Sequence, residues 1–425
     1  MRAPTLLSLL LTGTCNSVLA AGFIEDSSLD VLSRNFYLDN RERSPSNQPH
    51  KAEWAQGFIA SFVSGFTPGT IGVGLDAHAF VGLKLDGGKG HAGTGLLPLD
   101  ADGRSERDYS SAGGAVKLRV AKTTLSVGEM TVETPVFDTA DKRLQPEYAT
   151  GLLLDSREID ALHWQAGHFT AFKNQNASSG HGDFDGYGAS TRSGAIDFLG
   201  GQFFEGQPLG GALYASQLRD TWRQYYANLH GATANWGLDG NIYRTEDQGR
   251  AQAGAIANTA YSLAGKYSFA AQSVTLAYQK INGNTPFDFV GGDSIYLANS
   301  IKYADFNGPG ERSWQLRYDL NLATFGVPGL KFMTRYVTGR GIDGTHAPQG
   351  GAYNPFDADS GEYQPLQGRG GRHWERDIDL HYVVQSGPAK DLSVQLSHVS
   401  HRANTAQAGD DIDRVYVVIE YPLKL

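Results

Sequence analysis

A strict period of two runs through most of this chain and limits its fold more than any other feature. In one segment Trp314, Leu316, Tyr318, Leu320 and Leu322 alternate with Gln315, Arg317, Asp319 and Asn321. In another, Ile378, Leu380, Tyr382 and Val384 alternate with Asp379, His381, Val383 and Gln385. Towards the end, Val415, Val417, Ile419 and Tyr421 alternate with Arg414, Tyr416, Val418 and Glu420. Successive side chains of a strand point to opposite faces, so each segment reads as a strand with one apolar and one polar face. The pattern recurs at residues 117–120, 236–243 and 274–278. A β-sandwich would also alternate, but the apolar faces here repeatedly end in Tyr, Phe or Trp, as a lipid-facing band between aromatic girdles does. The final apolar-rich strand suits recognition by barrel-assembly machinery. The expected fold is therefore all-β: a transmembrane antiparallel barrel.

The spacing of turns supports this. Short turns, read at Asn282–Gly283 and at residues 326–329, alternate with long polar loops near residues 131–150 and 341–372. Short turns on one side and long loops on the other is the asymmetry of outer-membrane barrels. At roughly 20–22 residues per strand and connection, a mature chain of this size yields about 18 strands. A mean hydropathy of -0.35 does not oppose a membrane location, because lumen-facing residues dilute lipid-facing ones. Past the N-terminus no apolar run is long enough for a spanning helix. The first 21 residues read as an export signal: Arg2, then the apolar stretch Leu6–Leu11, then small residues up to Ala20 and Ala21. Cys15, the single cysteine, falls within it, so the barrel of residues 22–425 has no thiol chemistry. The net charge of -9 weighs against a nucleic-acid partner.

Enzymatic signals are weak. The one GxGxxG match, Gly339 to Gly344, runs on into Thr345, His346 and Pro348 rather than opening a helix. No Walker A loop, GxSxG elbow or HExxH motif is present. His163 and His168 lack the spacing of a helical zinc pair and suit a girdle or the lumen. Ser179, His181 and Asp183 share a loop without the spacing of a catalytic set, which leaves a barrel hydrolase as the alternative of a different class. The reading is a channel with no catalytic residues, metal or cofactor.

Charge on the polar faces is more informative. Lys117 and Arg119 oppose Val116, Leu118 and Val120; Arg317 lies on the polar side of its strand; Lys331 and Arg335 oppose Leu330, Phe332, Thr334 and Tyr336. Inward cations form a track for an anionic group, and the guanidinium fork matches a carboxylate. Inward charges of both signs could equally serve only to solvate a lumen and pair across strands.

A series of motifs then occurs in order: residues 22–28 (GFIEDSS), 34–37 (RNFY), 53–58 (EWAQGF), 69–76 (GTIGVGLD), 84–88 (KLDGG), 223–226 (RQYY), 291–294 (GGDS), 297–300 (LANS), 305–310 (DFNGPG), 313–315 (SWQ), 327–330 (VPGL), 383–390 (VVQSGPAK) and 420–423 (EYPL). With these the chain resembles the OprD family of substrate-specific outer-membrane porins, closest in detail to the branch taking basic amino acids and small peptides. The resemblance implies an 18-stranded barrel in the outer membrane, a constricting third loop at residues 131–150, and a ladder of basic residues facing an acidic pocket. Asp293 and Ser294 match the pocket segment, Arg119 matches a ladder rung, and Tyr187 lies near a constriction position. Two strands that supply ladder arginines in the family read Gln395, Ser397 and Tyr416 here, so either Arg317, Arg335 or Arg414 compensates or carboxylate selectivity is weaker. Aromatic or aliphatic carboxylates are the alternative solutes. The implied partners are small carboxylate solutes, outer-membrane lipid and lipopolysaccharide, and barrel-assembly machinery, with a weak homotrimer as a candidate assembly.

Overall fold

Eighteen strands carry the alternation, and their hydrogen-bonding groups are satisfied by closing the sheet on itself. The computed structural model describes residues 22–43, 50–86, 91–184 and 194–423; the expected export signal and Tyr187 lie outside the described residues. In chain order the strands are β1 (Ser28–Glu42), β2 (Lys51–Val63), β3 (Ile71–Asp86), β4 (Asp108–Val120), β5 (Thr123–Met130), β6 (Tyr148–Ser156), β7 (Leu162–Lys173), β8 (Ile196–Phe203) and β9 (Leu209–Leu218). The second half comprises β10 (Trp222–Ala232), β11 (Trp236–Asp247), β12 (Ala257–Phe269), β13 (Gln272–Asn282), β14 (Arg312–Asn321), β15 (Leu330–Asp343), β16 (Arg369–Val383), β17 (Ser393–Ala403) and β18 (Ile412–Leu423). Each strand pairs antiparallel with its sequence neighbour, and β18 pairs with β1 from Val31 opposite Leu423 to Glu42 opposite Ile412. The result is one closed 18-stranded barrel without an edge strand.

The outward face is apolar and exposed, including Leu263, Leu276 and Leu316. That exposure is unfavourable in water and suits a hydrocarbon surround. One rim bears turns as short as Ala121–Lys122 and Ala270–Ala271, where Ala121 and Ala270 take left-handed conformations. The other bears the long connections, of which residues 91–107, 131–147, 283–311 and 344–368 fold back over or into the lumen.

Asn282–Gly283 is not a short turn, contrary to the expectation from sequence. It begins the connection 283–311, which plunges into the barrel and buries Phe287, Phe289, Val290, Ile295 and Leu297. The GxGxxG stretch also proves to be strand for most of its length: residues 339–343 close β15 with a bulge against β16, and no helix follows.

Two apolar nests hold the inserted loops. Val132, Val136 and Phe137 of loop 131–147 are buried among Phe169, Phe172, Phe184 and Phe198, with Phe137–Phe169 ring centroids 5.3 Å apart. Burying those three loop side chains contributes roughly 5–9 kcal/mol as an upper bound. Across the lumen, Leu144 sits among Phe36, Leu38, Ala55, Phe80, Leu96 and Leu97. Gly57 of β2 makes room for it: a Cβ there would lie 3.1 Å from Leu144 Cγ. Loop 131–147 therefore bridges the barrel from β5–β6 to the β1–β2 wall.

Candidate functional site

The inserted loops narrow the lumen to a cavity of about 560 Å³, within the roughly 300–1,000 Å³ usual for small-molecule sites. Its charged lining comprises Arg34 from β1, Asp141, Lys142 and Arg143 from loop 131–147, Asp293 and Lys302 from loop 283–311, Arg335 from β15 and Glu420 from β18. Phe36, Ile295, Ile301, Tyr416 and Val418 supply apolar surface between them.

Loops 131–147 and 283–311 are joined as one plug. Ser294 Oγ accepts from Asp138 N–H (2.5 Å), and Tyr296 O–H donates to Asp138 Oδ2 (2.8 Å). Glu147 Oε2 accepts from both Ala140 N–H (2.7 Å) and Gly292 N–H (2.9 Å). Lys142 Nζ donates to the Gly292 carbonyl (2.9 Å) and pairs with Asp293. The approach is so close that a Cβ on Gly292 would lie 2.6 Å from Ala140 Cβ. Tyr243 of β11 ties the plug to the wall, its O–H donating to the Pro135 carbonyl (2.8 Å) while its oxygen accepts from Tyr296 N–H (3.0 Å).

Burial within this joint pushes the Asp138 carboxyl up to about 7, with Asp293 and Glu133 adding repulsion against the opposing effect of the Tyr296 bond. The docked plug thus holds a proton that a released loop, at the ordinary 3.8, gives up. Docking is strongest below that lower value, weakens as pH rises to about 7 and is flat above it. Single-channel records should show flicker increasing between pH 4 and pH 7, and Asp138→Asn should remove that dependence. A pH-independent wild-type trace would refute the assignment.

Pairing decides which cations can serve a solute. Arg34 donates to Asp141 through Nη1 (2.6 Å) and Nη2 (2.8 Å), and to Glu420 through Nε (2.6 Å). Arg335 Nε donates to Asp377 (2.6 Å) and Lys302 pairs with Asp379 (3.2 Å). Arg143 differs: its side chain donates to the neighbouring Lys142 carbonyl (2.9 Å) and has no carboxylate partner among the described residues. Burial, and then Arg414, hold its pKa below the usual arginine value, yet a guanidinium stays charged throughout the working range. Arg414 also lacks a carboxylate, donating to Asn40 Oδ1 (2.5 Å) and Tyr416 Oη (3.0 Å) and lying over the Tyr303 ring (4.7 Å).

The residues singled out in the sequence disperse over several places. Asp293 and Arg335 line the cavity, as do Gln395, Ser397 and Tyr416. Around that neutral stretch of wall the loops supply cations, with Arg143 adjacent and Lys302 Nζ over the Tyr416 ring (5.4 Å). Arg317 and Lys331 lie at the short-turn end in a separate depression with Asp319 and Asp379, and Arg317 Nη2 donates to Asp319 (2.7 Å). Lys117 and Arg119 stand on β4 over the Phe66 ring, and Lys117 pairs with Asp76 (2.5 Å). Ser294 is fully buried, its hydroxyl spent on the loop joint rather than turned to the cavity. His163 bonds Asp155 (2.6 Å), while His168 faces outward beside Asp197 (2.5 Å).

Arg34, Asp141, Lys142, Arg143, Lys302 and Glu420 were not picked out from sequence. For Arg34 a signal existed: it is the only charge among Leu32, Arg34, Phe36 and Leu38 on one face of β1. The loop cations carry no such mark, because nothing local shows that a loop turns inward.

Comparison with known proteins accords with this architecture. A family model described as outer membrane porin, OprD family, matches residues 21–425. Porin D of Pseudomonas aeruginosa is 46% identical over 420 residues, covering 96% of this chain and 93% of that protein. The crystal structure of P. aeruginosa OprD superposes with a TM-score of 0.80 at 44% identity, over 95% of this chain and 96% of that one. The structure of P. aeruginosa OpdK with vanillate gives 0.83 at 35% identity, over 95% and 100%.

Proposed function

The chain belongs to the OprD family of outer-membrane porins, and from that premise we propose that this member passes small carboxylate-bearing nutrients, with basic amino acids or small peptides favoured. As members of a channel family, its residues act by binding and release during passage, not by catalysis. Residues 1–21 are proposed to direct its export.

One observation carries the substrate reading: Arg143 is a cation without a carboxylate partner among the described residues, in the same cavity as Asp293, Asp141 and Glu420. A solute carboxylate can occupy Arg143 without first displacing an acid. Its positive end then meets Asp293. The Lys142–Asp293 pair is no obstacle, since both side chains are well exposed, at 49% and 36%, and such pairs contribute only about 0–1 kcal/mol. An incoming ammonium or guanidinium can exchange with Lys142. Attachment strong enough for entry and weak enough for exit is what selective conduction requires.

A second reading rests on Phe36, Tyr416 and Val418, which give the cavity an apolar flank suited to an aromatic carboxylate. The relative OpdK was crystallised with such a compound, vanillate. Liposome swelling with arginine, benzoate, succinate and glucose separates the two. Arginine should enter fastest, and a lead for benzoate would favour the second reading. Asp293→Asn should weaken channel block by arginine several-fold and leave block by benzoate unchanged. Equal loss for both would remove Asp293 from the proposed site.

A further inference from the structure

Lys280 of β13, Arg312 of β14, Arg340 of β15 and Arg372 of β16 stand directly opposite one another in strand register. All four project outward. Each lies two residues along its strand from Tyr278, Trp314, Thr338 or Trp374, which form the adjoining row on the lipid side. Paired strands are about 4.8 Å apart, so four positive charges lie side by side across the barrel wall. Like charges directly opposite one another are destabilising in a sheet, and no acidic side chain among the described residues forms an ion pair with any of the four. Arg312, Arg340 and Arg372 are exposed, and their side chains have no ion pair or hydrogen bond among the described residues. Lys280 Nζ donates only to the Gly310 carbonyl (2.6 Å). The neighbouring acid, Glu311, is turned inward to His373 (2.7 Å). Elsewhere at this rim an outward arginine has its own acid, as Arg244 has Glu246 (3.0 Å).

The level of the row in the membrane identifies its counter-charge. Tyr278 and Trp314 pack at 4.8 Å, and Tyr336 and Trp374 at 5.8 Å, forming an interfacial girdle. Two residues of strand raise the cations roughly 6–7 Å beyond it, towards the long-loop rim. That is headgroup depth in the outer leaflet. Arg376 lies two rows nearer the hydrocarbon, opposite Tyr336, and its long side chain can extend towards the headgroups. Guanidinium forks bind phosphate oxygens in pairs, and a sugar carrying more than one phosphate can engage several members of the row at once. We propose that the outward wall of β13–β16 is a binding site for the phosphate groups of an outer-leaflet phosphorylated glycolipid, lipopolysaccharide being the one of that chemistry, with its acyl chains lying along Leu276 and Leu316.

Native mass spectrometry of the full chain in detergent tests this with bisphosphorylated, monophosphorylated and dephosphorylated lipid A. Retention should fall with each phosphate removed. The variant R312Q/R340Q/R372Q should retain bisphosphorylated lipid A at least tenfold less well than the wild type, with unchanged ion conductance. R157Q, at the short-turn rim, should retain it normally. Equal binding of all three lipids, or equal binding by the triple variant, overturns the proposal. Displacement of lipid A by millimolar inorganic phosphate would reveal a free-phosphate site and overturn it too. The ranking of lipids on the wild type needs no variant and decides the matter if the triple variant does not fold.

Discussion

A channel carrying Arg143→Gln and Arg414→Gln is expected to lose carboxylate selectivity while keeping its fold. These two guanidiniums are the cations near the constriction whose partners are neutral: the Lys142 carbonyl for Arg143, and Asn40 and Tyr416 for Arg414. Their removal leaves no acid stranded, so the barrel and plug should persist. The solute should notice far more. At about 5 Å and an effective dielectric between about 20 and 80, one carboxylate–guanidinium contact contributes roughly 1–3 kcal/mol, and each 1.4 kcal/mol is a tenfold change. Uptake of succinate or benzoate relative to glucose should therefore fall at least about tenfold, and the reversal potential in a salt gradient should move towards cation selectivity. The two sites are close enough to couple, so single variants need not add to the double. Raising the salt to about 1 M, where the screening length is about 3 Å, should erase most of the difference. An unchanged reversal potential in the double variant would show that these cations do not contact the permeating solute.

The barrel was legible in the sequence because a wall residue has only two directions to face. Trp314, Leu316 and Tyr318 against Gln315, Arg317 and Asp319 describe β14 completely, since lipid and lumen impose opposite demands on alternate positions. Loop 283–311 escaped the same reasoning. Phe287, Phe289, Val290, Ile295 and Leu297 are apolar because the loop is buried inside the barrel, and an apolar pattern does not tell burial in a lumen from burial in a sheet. Asn282–Gly283 has the composition of a tight turn; the returning strand lies 29 residues further on at Arg312 because the loop between them docks on Asp138, Glu147 and Tyr243. The candidate site was legible only in part for a related reason. Period two gives the direction of Lys117, Arg317 and Arg335 but not their partners. Arg335 reaches the cavity already bonded to Asp377, Arg317 is spent on Asp319, and Arg143 is free only because Arg34 and Lys142 engage Asp141 and Asp293. The last of these arrangements is set by contacts between residues more than a hundred positions apart. The neutral wall of Gln395, Ser397 and Tyr416 marked where strand cations were absent; Lys302 and Arg143 come to it from loops, through the third dimension.

The same geometry makes Arg34→Gln combined with Leu144→Asp the most disruptive change to gating. Loop 131–147 crosses the lumen on two supports at its far end. Arg34 bonds Asp141 twice and Glu420 once, and also donates to the Arg143 carbonyl (2.9 Å). Removing one member of a buried pair costs about 3–5 kcal/mol, but Asp141 and Glu420 are 46% and 32% exposed, which reduces the figure to about 1–2 kcal/mol. Leu144 is fully buried. Truncating such a leucine costs about 2–5 kcal/mol, and a carboxylate in its place adds the penalty of burying a charge among Phe36, Leu38 and Phe80. Together the changes shift the docking equilibrium by about a hundredfold or more. The expected result is a noisy channel of several-fold higher conductance that no longer distinguishes arginine from glucose, with trypsin cleaving after Lys142 and Arg143. Unchanged conductance together with resistance to trypsin would show that the loop is held chiefly by its near end, at Val132, Val136 and Phe137. In either case the barrel should remain. Its strands are hydrogen-bonded to one another around a closed ring, and none of those bonds passes through the loop. Conductance and selectivity can therefore be altered in the inserted loops without weakening the wall that spans the membrane.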